Sequence, residues 1–316
     1  MKTSIEERSE VVVLGAAAVD IVARVTEMPR KDSIIFADSC EAFPGGAGAN
    51  VASGIARLGR QVTFLGKFGS DENGKLLRDA FEKDGVDTSA IITVEGEPSA
   101  RCFIPIDANG DRWIFALGGT ALLESVDEVN TAKIQTARVL YVAEAFTAVA
   151  QKAFHTARQA GAVVVYCPGG VVMWADRSEM EGLMRQTDVL ILSRAEATAF
   201  SGNEDIEKAL SYFEKIGPRV VVITLGGEGV IACLEGVHTR IPIWQAPVVA
   251  DTTGAGDAFN AGFIVGFLEG LTWEQALVQG SATAAVKLGK VGARTGLPTR
   301  SELNEFMKIM PPSGLS

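Results

Sequence analysis

Asp251-Thr-Thr-Gly-Ala-Gly-Asp257-Ala-Phe-Asn-Ala-Gly262 is the stretch that decides how this chain is read. It sets two carboxylates, two threonines and a Gly-Ala-Gly turn directly ahead of an apolar, helix-like run, Ala258 to Leu268. A glycine turn at a helix start leaves several backbone N–H groups unpaired and aligned with the positive end of the helix dipole. Such a turn cradles anions, phosphate above all. Asp257 sits inside it, where the local field favours the ionised form. A carboxylate beside a phosphate cradle is placed to activate a hydroxyl for phosphoryl transfer. The competing reading is an ordinary helix cap, with Gly254 and Gly256 merely shaping the turn.

Working outward, the chain alternates. Short apolar strands are expected at Val11–Leu14, Val62–Gly66, Val139–Val142, Val163–Tyr166, Val189–Leu192, Val220–Thr224 and Val230–Leu234. Between them lie helical stretches at Ala47–Leu58, Gly74–Asp84, Ala148–Ala160, Ser178–Arg185, Glu196–Phe200 and Ile206–Ile216. Three more follow at Ala258–Leu268, Thr272–Leu288 and Ser301–Met310. Apolar strands separated by amphipathic helices predict an α/β fold with a mostly parallel sheet covered on both faces. Two extended segments, about 33–43 and 100–117, break the alternation; the second carries an Asp107-Ala-Asn-Gly110 turn signal. They are expected to leave the main sheet and form a small β-lid over a cleft. With no linker or repeat in view, residues 1–316 read as a single domain.

The bulk numbers narrow the function. A length of 316 residues, 47% hydrophobic and 22% charged, is that of a globular protein with a large core. The net charge of -10 argues against nucleic acid as a partner, since such surfaces rely on Lys/Arg patches. No apolar run is long enough to span a bilayer, and the polar start, Met1 to Glu10, has no signal core. A cytoplasmic enzyme without a membrane partner is expected. Cys40, Cys102, Cys167 and Cys233 are scattered, and His155 and His238 look isolated, so the thiols read as free and reduced, with no zinc site.

Further glycine turns and acids fall at expected strand ends. Pro44-Gly-Gly-Ala-Gly-Ala-Asn50 lets a ligand approach the backbone, and Asn50 offers both donor and acceptor; the plainer reading is a tight helix start. It lacks the G-x-G-x-x-G spacing of a dinucleotide fingerprint, which argues against a nicotinamide oxidoreductase. Gly69-Ser-Asp-Glu-Asn-Gly74-Lys75-Leu76 imitates a Walker loop but has Leu76 where Ser or Thr must ligate Mg²⁺, and two acids inside the loop. Thr224-Leu-Gly-Gly-Glu-Gly229 is either a ligand-binding turn at a strand end or a plain hairpin turn. Asp20 binds a ligand or caps a turn. Ser193-Arg-Ala-Glu196 either holds Mg²⁺ or starts a helix as a capping box.

Gly45-Gly46-Ala-Gly48-Ala-Asn50 together with Asp251-Thr-Thr-Gly-Ala-Gly-Asp257 resembles the two signatures of the ribokinase-like (PfkB-type) carbohydrate kinases. The resemblance runs from Gly15 to about Pro298. It implies a three-layer α/β/α sandwich with a small β-sheet lid, and ATP and Mg²⁺ as cofactors. Asp257 matches the family's general base, and Gly254, Ala255 and Gly256 match its anion hole. Asp20, Gly45, Gly46 and Asn50 match the positions that hold sugar hydroxyls. Thr224, Gly226 and Gly229 match the nucleotide turn, Gln279 falls near the adenine-contacting helix, and Glu196 matches an acid associated with Mg²⁺. Asp251, Thr253 and the loop around Gly292 fit a monovalent cation (K⁺) site beside the anion hole. The pattern departs at Ser193, where Asn is usual, and at Ala18 and Ala47, where ribokinase itself has Asn and Lys.

The function implied is transfer of the γ-phosphoryl group of ATP to a hydroxyl of a sugar or sugar derivative. The alternative is a nucleoside kinase of the same fold, for which Tyr166-Cys-Pro-Gly-Gly170 is a hint and Phe103, Phe115 and Trp174 would wall the base. A sugar-sensing binding protein is disfavoured by the intact Gly-Ala-Gly-Asp. Arg101, in the lid, is a solvated charge or a contact for an anionic substrate. The lid also offers a surface for homodimerisation.

Overall fold

The computed structural model describes residues 10–173 and 175–310. In chain order the elements are β1 (Val11–Leu14), β2 (Ala18–Arg24), β3 (Ser39–Gly45), α1 (Ala47–Arg57), β4 (Val62–Leu65), β5 (Lys67–Gly69), α2 (Glu72–Asp84) and β6 (Ile92–Val94). Next come β7 (Arg101–Ile106), β8 (Phe115–Ala116), α3 (Thr131–Thr136), β9 (Val139–Val142), α4 (Thr147–Gln159), β10 (Val163–Tyr166), α5 (Arg177–Met184), β11 (Val189–Ser193) and α6 (Arg194–Ser201). The chain continues through α7 (Ile206–Ile216), β12 (Val220–Thr224), β13 (Val230–Leu234), β14 (Val237–Ile241), α8 (Ala255–Leu268), α9 (Trp273–Lys287) and α10 (Arg300–Ile309).

Eight strands form the main sheet in the order β14-β13-β12-β11-β10-β9-β1-β4. The six from β12 to β4 run parallel. Successive side chains of a strand point to opposite faces, and β1 shows the result. Val11 and Val13 pack with Ile55, Phe81, Phe263 and Leu277, whereas Val12 and Leu14 pack with Phe154, Leu183 and Phe213. Helices α1, α2, α8, α9 and α10 therefore cover one face and α3 to α7 the other, the three layers the resemblance implies. Being buried on both faces, the inner strands are continuous apolar runs rather than alternating ones.

β12 and β13 are antiparallel, as are β13 and β14. Only Leu225 to Gly229 joins β12 to β13, and a parallel return needs a crossover of a dozen or more residues. The hairpin reading of this turn is thus the geometry found.

A second sheet, in the order β3-β2-β7-β8, forms the lid. Its composition differs from expectation in three ways. β2, where no strand was expected, belongs to the lid. β3 begins only at Ser39, and segment 100–117 divides into β7 and β8 around a tip in which the Gly110 N–H donates to the Asp107 carbonyl at 3.0 Å. The path from β1 into β2 means that a lid strand leaves directly from the end of a central strand, which is what delivers Asp20 to the cleft. Among the described residues no helix is long and apolar enough to cross a membrane.

Candidate active site

The parallel strands end on one edge, at Leu14, Leu65, Val142, Tyr166, Ser193 and Thr224, the edge at which open α/β sheets bind ligands. α8 begins there. Its N-cap, Gly254, has φ 77°, and a Cβ at this position would lie 2.8 Å from the Ala293 carbonyl oxygen, so the turn demands glycine twice over. A Cβ at Gly256 would meet nothing within 4 Å. The Ala255 amide donates to the Thr252 carbonyl at 3.2 Å, and no α-helix satisfies its first-turn amides within its own hydrogen-bond ladder.

Asp257, in the first turn of α8, accepts a hydrogen bond from Asn50 Nδ2 at 2.8 Å. The two residues are 207 apart in sequence, and this bond joins the two glycine signatures. Burial pushes the Asp257 carboxyl up to about 7, the Asn50 bond opposes it, and the charges of Glu144 and Asp20 add to it while Arg294 draws it down. A carboxylate held near neutral pH is suited to exchange a proton with an alcohol.

Asp20 lies in β2 between Phe43 of β3 and Cys102 of β7. Burial raises its carboxyl to about 6, against Arg294 and Arg112 and with help from Asp251. Gly45 packs directly on this carboxylate, and Gly46, at φ 92°, turns the chain into α1. The structure thus brings Asp20, Gly45, Gly46, Asn50 and Asp257 together. Two residues of this group were missed in the sequence. Arg294 is buried; its Nε donates to Asn50 Oδ1 at 3.0 Å and an Nη to the Gly45 carbonyl at 2.8 Å, with the guanidinium 4.8 Å over the Phe81 ring. A guanidinium only donates, so Asn50 must turn its oxygen to Arg294 and its NH₂ to Asp257. Glu144, just beyond β9, is raised by burial and by the charge of Glu196, and its own charge reaches Cys102 and Asp257. Its place after an apolar strand was the available signal. Gly169, of the Cys-Pro-Gly segment, packs against it.

On the other side of the edge, Thr224 is in register with Ser193, so the Gly226–Gly229 turn adjoins the start of α6. Gly226 and Gly229 have φ of 60° and 90°. Ser193 and Glu196 form the capping box: the Ser193 amide donates to Glu196 Oε2 at 2.8 Å and the Glu196 amide to Ser193 Oγ at 3.3 Å. The cap holds Glu196 at the strand edge, within electrostatic reach of Glu144 and Cys167. Gln279 is buried, and its amide donates to the Gly262 carbonyl at 3.2 Å and to Glu269 at 3.4 Å, within the α8–α9 pair.

Asp251 shapes the loop ahead of α8. Its carboxylate accepts from the amides of Thr253 and Gly292, each at 2.8 Å, and its carbonyl accepts from Lys287 Nζ at 2.8 Å. Burial pulls the Asp251 carboxyl upward, but these amides and the Lys287 charge outweigh it and leave it below its usual value. Thr253 Oγ1 accepts from Arg112 of the lid tip at 2.7 Å. Arg101 is exposed at the start of β7, so the lid arginine that reaches the site is Arg112. Phe103 and Phe115 pair on the lid with ring centres 6.3 Å apart; Trp174 lies outside the described residues. At the opposite edge of the sheet, Cys233 and His238 are cross-strand partners, with His238 Nε2 3.0 Å from Glu214, a cluster their sequence positions had concealed.

Residues 8–300 match the model of the pfkB family of carbohydrate kinases. The chain is 32% identical over 309 residues to a ribokinase of Haemophilus influenzae, covering 95% of this chain and 99% of that one. It is 29% identical to fructokinase-1 of Zea mays, with 95% and 98% covered. Its fold superimposes on that of Arabidopsis thaliana ribokinase complexed with ribose and ATP, with a TM-score of 0.84 at 26% identity over 95% of this chain and 99% of that one.

Proposed function

The chain belongs to the pfkB family of carbohydrate kinases, phosphotransferases acting on hydroxyl groups, and from that premise we propose that it transfers the γ-phosphoryl group of ATP to a sugar hydroxyl, with Asp257 as the general base. The observation that carries this reading is the Asn50–Asp257 hydrogen bond. It puts a titratable carboxylate where the acceptor turn, Gly45–Asn50, meets the first-turn amides of α8. The acceptor would rest against Asp20 and the Gly45–Gly46 backbone, with Glu144 beside it. Asp257 takes the proton of the attacking hydroxyl at its free carboxylate oxygen, while Asn50 holds the other. The amides of Gly254–Gly256, directed by the helix dipole, hold charge on the transferring group; removing one preorganised donor of this kind lowers rates on the order of 10²–10³-fold.

Thr224, Gly226 and Gly229 would hold the nucleotide. Glu196, fixed at the strand edge by its capping box, would hold Mg²⁺ there, with the Glu144 carboxyl in its field. Bound Mg²⁺ neutralises charge on the phosphoryl oxygens. Arg112, docked on Thr253, closes the lid over the reacting groups and excludes water. Ile34, Phe36 and Ile114 stand exposed on the lid segments, which supports pairing of two copies through the lid, a state that light scattering on the purified chain reads directly.

The experiment is an acceptor screen of sugars, sugar acids and nucleosides with ATP and Mg²⁺, read as ADP release, with the Asp257→Asn variant in parallel. A sugar turned over by the parent and not by the variant supports the reading. A chain that turns over only nucleosides replaces the acceptor class, and a fully active variant removes Asp257 as base.

A further inference from the structure

We infer that Lys287 is a built-in cation: its ammonium stands where the family resemblance places a monovalent metal ion, so phosphoryl transfer by this chain needs no potassium. The inference rests on the reading of the α8 turn as the phosphoryl centre. Lys287, the last residue of α9, is 0% exposed, and its Nζ donates to the main-chain oxygen of Asp251 at 2.8 Å. That oxygen belongs to the loop from which a monovalent ion would draw its ligands. The side-chain oxygens offered there are also engaged: both carboxylate oxygens of Asp251 accept amides, and Thr253 Oγ1 accepts the Arg112 guanidinium. The residues present therefore do not fit a bound potassium ion; two protein cations already face its ligands.

A buried ammonium is unfavourable unless paired. Burial draws Lys287 below the ordinary lysine value and Arg112 acts in the same sense, while the Asp251 and Asp257 carboxylates oppose both. Ammonium and potassium ions carry the same charge and are close in size. Lys287 thus supplies from α9 what a diffusible ion would supply: one positive charge behind the anion cradle, and a tie between the Asp251 loop and the α9 end.

The test exchanges potassium for choline at constant ionic strength. For the parent chain, the rate of ADP release with its acceptor and the melting temperature are both expected to stay unchanged. Lys287→Ala leaves room for an ion. In choline it should lose on the order of 10²–10³ in turnover, and potassium should restore at least about tenfold and raise its melting temperature. Lys287→Arg, which keeps a cation, should remain potassium-independent, and it carries the test if the alanine variant does not fold. A parent whose rate or melting temperature rises with potassium overturns the inference, as does an alanine variant that potassium leaves unmoved. The melting arm needs no turnover, so it decides Lys287 even if the acceptor screen finds no substrate.

Discussion

Adding one methyl group at Gly45 isolates the acceptor side of the site. A Cβ built there lies 2.0 Å from Asp20 Oδ2 and 2.5 Å from Cγ, against the roughly 3.5 Å that unstrained contacts require. The carboxylate must retreat by about 1 Å or more, which is enough to break a hydrogen bond to a bound hydroxyl. Gly45 does not have a positive φ, so the backbone itself accepts alanine. What moves is the end of one side chain. A hydrogen bond to a charged group is worth about 1.5–3 kcal/mol, so the acceptor KM should rise by roughly ten- to a hundredfold. The ATP KM should hold, and the melting temperature should fall by only a few degrees, as for a surface-sized perturbation. Gly74→Ala is the matched contrast. Its Cβ would lie 2.0 Å from the main-chain oxygen of Gly69, which cannot step aside, so the same methyl should destabilise the fold instead. Steady-state kinetics in both substrates and a thermal melt complete the assay. A well-folded Gly45→Ala enzyme with an unchanged acceptor KM, or with both KM values raised equally, refutes the placement of the acceptor on Asp20.

Asp257→Asn should fold and lose on the order of 10²–10⁴ in kcat, measured as ADP release. Because burial holds Asp257 near 7, kcat/KM should fall as pH drops through about 7. Stability carries the opposite slope: between the unfolded carboxylate value near 4 and about 7 the native state keeps a proton the unfolded chain has lost, so Asp257 lowers stability as pH rises across that window. Melts of parent and Asp257→Asn should therefore diverge toward high pH, with the variant gaining, and parallel curves would contradict the assignment. Arg294→Met strips buried acceptors on Asn50 and Gly45 of their donor and should cost about 2–5 kcal/mol in urea unfolding; it should also move the acid limb of kcat/KM upward, because a positive charge near Asp257 is gone. Glu196→Gln should raise the Mg²⁺ concentration needed for half-maximal rate on the order of tenfold or more, and chelation should stop turnover in the parent; an unchanged Mg²⁺ requirement would remove Glu196 from the metal's surroundings.

The legible parts of the fold were those decided within a few residues. Val139–Val142, Val163–Tyr166 and Ile206–Ile216 were bounded correctly because short apolar runs rich in valine mark the strands and Asp205 and Gly217 bound the helix locally. The direction of β13 was harder, since an apolar run reads the same either way; only the five-residue connection from Leu225 to Gly229 sets it. β2 was missed as a lid strand because Ala18–Ala23, Ile21 apart, is as buried as a central strand, although both of its strand partners belong to the lid. Asp257 and Gly254 were visible through their shared turn. Arg294, Glu144 and Lys287 were not, because each acts on a partner distant in sequence: Arg294 on Asn50, 244 residues away, and Lys287 on a carbonyl 36 residues back. Charge alone marks Arg294 and Lys287 as surface groups, and only burial reveals them. Arg112 was hidden for the same reason, since its partner Thr253 lies 141 residues away, while Arg101 is exposed.

α8 is buried along almost its whole length, every residue from Ala258 to Gly266 included. A helix with no free side has no room to tilt or slide when a charged group arrives at its end. The amides proposed to hold the phosphoryl group are therefore anchored on a buried helix. On the proposed reading, chemistry rests on this helix and part of the selectivity on the lid. A lineage could rewrite the lid, and with it the range of acceptors, while the machinery that moves the phosphoryl group is carried along unaltered.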